Sequence, residues 1–126
     1  MSRLLPVLLA ACCLGACAAR PQVHSYQVRA KPAGADLVTV SGTVSFAGVA
    51  TPVARQALPA EFTAAQGPVL VDLMCDDPAA AMTLEMDFKV DGRDGRTLSS
   101  PGAHRHLAII EERRGNDFSL RVEARE

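Results

Sequence analysis

Met82-Thr83-Leu84-Glu85-Met86-Asp87-Phe88-Lys89-Val90 decides the fold of this chain, because apolar and polar residues alternate along it without a break. In an extended backbone successive side chains point to opposite faces. Met82, Leu84, Met86, Phe88 and Val90 therefore share one face, and Thr83, Glu85, Asp87 and Lys89 share the other. Wound as an α-helix, the same apolar set would scatter around the axis. The segment predicts a strand with one face in a core.

Working outward, the neighbouring segments repeat the pattern. Val69-Leu70-Val71-Asp72-Leu73-Met74-Cys75 is dense in β-forming residues and predicts a more buried strand, ended by Asp76-Asp77-Pro78. After Val90, Asp91-Gly92-Arg93-Asp94-Gly95 predicts a turn, and Thr97 to Ser99 a return strand. Leu107 to Ile110 and the alternating Phe118, Leu120, Val122 and Ala124 predict a final pair. The turn between them, Arg114-Gly115-Asn116-Asp117, holds a Gly-Asn step that tolerates positive φ.

Towards the N-terminus, Tyr26, Val28 and Ala30 alternate with Gln27 and Arg29 between Ser25 and Ala30, and Lys31-Pro32-Ala33-Gly34 follows as a turn. From Leu37 to Phe46, Val38, Val40, Val44 and Phe46 share an apolar face. Gly42 has the same parity, which marks a bulge or a close approach of two backbones. Thr51 to Gln66 is the least regular stretch. Its prolines and its Ala60-Glu61-Phe62-Thr63-Ala64-Ala65 run suggest a short edge strand and one helical turn. Seven or so short strands with almost no helix predict an all-β protein, a small antiparallel β-sandwich. The stretch from Thr51 to Pro59 is its expected edge, since proline cannot donate to a central ladder.

Composition narrows the function. Thirteen Lys and Arg against fourteen Asp and Glu leave a net charge of -1, which offers no electrostatic footprint for nucleic acid. One Tyr, four Phe and no Trp provide little for stacking on bases or sugars.

The first residues read as a secretory leader. Met1-Ser2-Arg3 precedes the apolar Leu4-Leu5-Pro6-Val7-Leu8-Leu9-Ala10-Ala11, and polar residues resume at Arg20-Pro21-Gln22, too soon for a membrane span. Leu14-Gly15-Ala16-Cys17 resembles the lipobox of bacterial lipoprotein signal peptides. The resemblance implies that the Cys17 thiol accepts a diacylglyceryl group, with Gly15 and Ala16 fitting the peptidase. Leu9-Ala10-Ala11-Cys12 is a competing box, but it leaves a shorter apolar run. Ala18, with no Asp following the cysteine, implies sorting to the outer membrane in a two-membrane host.

The expected organisation is a signal peptide over 1–16, a lipidated tether over 17–23 and one β-sandwich domain over 24–126. Cys12 and Cys13 leave with the signal and Cys17 is acylated. Cys75 is then alone, so the core and not a disulfide must supply stability. Ser41-Gly42-Thr43-Val44 with Leu58-Pro59 and Val69 to Leu73 also resembles secretion-associated lipoprotein chaperones, over less than half the chain and not beyond Asp77.

Candidate chemical groups are few. His104 and His106, at i and i+2, would share a strand face and could chelate one ion, with a third ligand from His24, Cys75, Asp76 or Asp77. Cys75 would be a redox thiol only beside a cation; its parity with Val69, Val71 and Leu73 points instead to a buried, inert thiol. Asp91 and Asp94 lack the calcium-loop spacing. Asp76-Asp77 and Glu111-Glu112 are adjacent doublets whose members face opposite sides of a strand, so neither forms an acid–base pair. There is no Gly-x-Ser-x-Gly elbow, phosphate-cradling glycine loop or HExxH.

The expectation is therefore a non-enzymatic, cofactor-free interaction or assembly module of the cell envelope. It would be held on the periplasmic face of the outer membrane by acyl chains on Cys17, and would bind another envelope protein but no nucleic acid. The alternative is a small-ligand or metal-binding lipoprotein using His104 and His106.

Overall fold

The computed structural model describes residues 23–34, 36–90, 95–115 and 117–125. Nine strands run through them: β1 (Val23–Pro32), β2 (Thr39–Phe46), β3 (Val49–Ala57), β4 (Ala60–Ala64), β5 (Val69–Cys75), β6 (Met82–Val90), β7 (Arg96–Ser99), β8 (His106–Arg114) and β9 (Asp117–Ala124). All pairings are antiparallel. One sheet has the order β4-β1-β6-β7 and the other β3-β2-β5-β8-β9. Their inner faces meet in one core, to which Tyr26, Val28 and Ala30 of β1 and Met82, Leu84 and Met86 of β6 contribute from one side. Val40 and Val44 of β2, Val71 and Leu73 of β5, and Leu107 and Ile109 of β8 contribute from the other. The expected all-β sandwich is present, with more strands than the seven or so read from the pattern.

The two strongest patterns occupy the two centres. β6 lies between β1 and β7, and β5 lies between β2 and β8; β5 buries all its alternate residues, and β6 buries Met82, Leu84, Met86 and Val90 with Phe88 half-buried. Gly42 accounts for its place on the apolar parity in both expected ways. The register between β2 and β3 shifts between Val40 and Gly42, and a Cβ on Gly42 would stand 1.9 Å from the Asp72 carbonyl oxygen. Its φ of +151° is also open mainly to glycine.

Between Thr51 and Gln66 the expected edge strand is present as part of β3, and a further strand, β4, stands in place of the expected helical turn. β2 and β3 are joined by Ala47 and Gly48, both at positive φ, as a two-residue hairpin requires. Alanine rarely adopts that conformation, so Gly48 alone marks the turn in the sequence. The alanine-rich run forms β4 because Phe62 and Ala60 pack on the core beside β1. That contact outweighs local helix propensity. β3 pairs only with β2 and is an edge, as its proline suggested.

The chain changes sheet after β1, β3, β4, β5 and β7. At the last crossing His104 still belongs to the first sheet, exchanging backbone hydrogen bonds of 2.9 Å with Met82, whereas His106 has begun β8 opposite Met74.

Candidate interaction surface

Tyr26 of β1 and Glu111 of β8 form the polar link that sequence reading missed. The Tyr26 hydroxyl donates to Glu111 Oε1 at 2.6 Å, and the Val69 amide donates to the same oxygen at 3.3 Å. Arg113 Nε donates to Glu111 Oε2 at 2.9 Å, and its guanidinium lies over the Phe118 ring. The Glu111 side chain has no solvent exposure. Burial above all, then the hydrogen bond to Glu111, pushes the Tyr26 phenol well above the ordinary tyrosine range. A Cβ on Gly67 would enter this group, 2.0 Å from the Tyr26 oxygen. The parity of Leu107, Ile109 and Glu111 already put this carboxylate on the inner face. Every member is satisfied, so the network ties the two sheets together and offers no open chemistry.

The other candidates go separate ways. His104 Nε2 bonds the Pro101 carbonyl and His106 Nε2 bonds Asp72 Oδ1 at 2.5 Å, so each imidazole serves a different part of the fold. Among the described residues no group of three or more His, Cys, Asp or Glu stands together as a metal site. The His24 side chain lies outside the described residues, as do Asp91, Asp94 and the proposed lipidation site Cys17 with Cys12 and Cys13. Cys75 is fully buried in the core. Asp76 accepts from Thr39 and Ser41, each at 2.7 Å, and Ser41 first, then Thr39, holds its carboxyl below the usual range. Asp77 instead accepts from the Ala79 amide. Glu112 faces away from Glu111 and pairs with Arg121 at 2.8 Å.

The outer faces of the two sheets both carry ion pairs but differ in the apolar side chains they expose. On the four-stranded sheet charge answers charge. Arg29 reaches Asp87 at 2.7 Å and Glu85 at 3.1 Å, Lys31 reaches Glu85 at 3.4 Å, and Gln27 bonds Glu61. Thr97 adds a hydrogen bond to Asp87, whose carboxyl is held below its ordinary range by Arg29 first and Thr97 second. No large apolar side chain is exposed among the described residues of that face.

The five-stranded sheet presents Leu70 and Met74 of β5, 49% and 40% exposed. Half-buried Ile110 lies opposite Leu70, and Ala108 opposite Asp72. On the β2 side their neighbours are the uncharged Ser41, Thr43 and Ser45.

The edge beside this face is irregular. Ala54 and Arg55 together oppose Ser41, with Arg55 at a φ of +49° and its amide donating to Ser41 Oγ at 3.0 Å. This bulge, with Pro52, interrupts β3 as a template for continuous strand addition. Comparison of the chain with protein-family models, curated proteins and solved structures finds no match.

Proposed function

We propose that the chain is a lipid-anchored, non-enzymatic interaction module of the bacterial cell envelope. In this reading acyl chains on Cys17 hold it to the periplasmic face of the outer membrane, and the β-sandwich binds or steadies another envelope protein. The observation that carries the reading is the contrast between the outer faces. Both carry ion pairs that satisfy each other, but the five-stranded one also exposes Leu70 and Met74 at the centre of an extended sheet. Exposed apolar side chains grouped on one face mark a contact surface more often than scattered ones do. Leu14-Gly15-Ala16-Cys17 supplies the support for the anchor.

Two measurements in intact cells test it. Metabolic labelling with an acyl analogue should mark the full chain and disappear in Cys17→Ala. Photo-crosslinkers at Leu70, and at Arg55 and Gln56 on β3, should capture an envelope protein. Labelling that survives Cys17→Ala and vanishes in Cys12→Ala would move the anchor. Crosslinkers that capture nothing on any face, with a purified chain that turns over a substrate, would overturn the interaction reading.

A further inference from the structure

The outer face of β5 carries more information than an apolar strip. Reading along it, Leu70, Asp72, Met74 and Asp76 occupy alternate positions, so they project in one line. Asp76 is already answered by two hydroxyls. Asp72 differs, because its side chain is 47% exposed and its one ion-pair partner among the described residues is His106, through Oδ1. A carboxylate thus stands in the middle of the strip, about 7 Å along the strand from each apolar neighbour.

Beyond Met74 the surface turns to paired charge, Arg125 meeting Glu123 at 3.2 Å. A pocket of about 340 Å³ there is lined by Met74, Pro78, Arg105, His106 and Arg125. On the far side of β8, Arg121 bridges Glu112 and Glu123. Arg121 and Arg125 are answered by Glu112 and Glu123, so the charge that stands amid the exposed apolar side chains is the Asp72 carboxylate.

We infer that this face docks a partner protein whose contact surface sets a single lysine or arginine between apolar side chains, the cation meeting Asp72 and the apolar groups covering Leu70 and Met74. The inference rests on the interaction reading above and names the chemistry of its partner. His106 is a positioning residue in this scheme, since its bond to Oδ1 holds one oxygen of the Asp72 carboxylate. A second copy of this chain is disfavoured on the same ground. Pairing β5 with its own copy about an axis along the strand would set Asp72 against Asp72, and like charges in apposition oppose docking.

The test uses the full chain in intact cells, with a photo-crosslinker at Leu70 or Met74 and the captured residues mapped by mass spectrometry. The expected capture is of a protein surface containing a lysine or arginine flanked by apolar residues. Asp72→Lys should reduce that capture about tenfold or more, and Asp72→Asn less. Changing the mapped cation to Asp should restore capture by Asp72→Lys, a charge-swap rescue that a folding defect cannot produce.

Capture that is indifferent to Asp72→Lys, a mapped surface without a cation, or capture of lipid or of a second copy overturns the inference. Capture only through Arg55 and Gln56, with none at the strip, overturns it while leaving the interaction reading standing. Capture nowhere overturns the inference, and together with a purified chain that turns over a substrate it removes the interaction reading as well.

Discussion

Tyr26 is the single tyrosine in a chain without tryptophan, so its ionisation can be watched in isolation. Its side chain is 1% exposed and donates to a carboxylate that has no exposure of its own. A phenolate there would lose water and face Glu111, so the folded state keeps the proton to well above the ordinary value of about 10. The sign of the linkage follows. The unfolded chain releases this proton near pH 10 and the native chain does not, so stability is intact below that pH and falls above it. With the native phenol still protonated, the loss is about 1.4 kcal/mol by pH 11 and about 2.7 kcal/mol by pH 12.

Urea titrations followed by far-ultraviolet circular dichroism from about pH 8 upward should show this decline. Tyr26→Phe should remove that part of the slope, although it costs stability at neutral pH by taking a donor from Glu111. In a parallel alkaline titration, phenolate absorbance should appear only as the β-sheet signal is lost. A reversible rise in absorbance with a midpoint near 10 and an intact sheet spectrum would refute the sealed network, as would an unchanged slope in Tyr26→Phe.

Arg113→Leu should cost about 2–3 kcal/mol in the same urea assay, because the buried Glu111 carboxylate keeps Tyr26 and Val69 but loses its cation; Arg113→Lys should recover most of it. Gly42→Ala should cost about 3 kcal/mol, since its Cβ meets the Asp72 backbone, whereas Gly34→Ala, with open space around it, should stay within about 0.5 kcal/mol by thermal melting. Met86→Asp should abolish cooperative unfolding by burying an unpaired charge. Glu85→Thr, on the solvated side of the same strand, should change stability by only about 0.5 kcal/mol.

Much of the architecture was legible because alternation reports directly on a two-sided sheet. Met82 to Val90, Val69 to Cys75 and the pair ending at Ala124 all read correctly, and Pro52 pointed to an edge. What escaped depended on partners distant in sequence. β4 looks helical until Phe62 is placed beside Val28, and the β2–β3 hairpin turns through an alanine that carries no turn signature. Glu111 had the parity of a core residue, but the hydroxyl that makes its burial tolerable lies 85 residues away. The contrast between the outer faces was likewise invisible, because strand order decides which polar and apolar residues become neighbours.

The repeated changes of sheet have a kinetic consequence. Neither sheet is built from a continuous stretch of chain, since β1 waits for β6 and β2 waits for β5 before either can bury its inner face. Such distant pairings cost loop-closure entropy before any burial offsets it, so folding belongs to the slow, millisecond-to-second class of β-rich domains. No cut of the backbone leaves a self-sufficient half. During synthesis the first sheet lacks its central strand until Val90 has emerged, so the exposed edge of β1 must be kept from other chains until then.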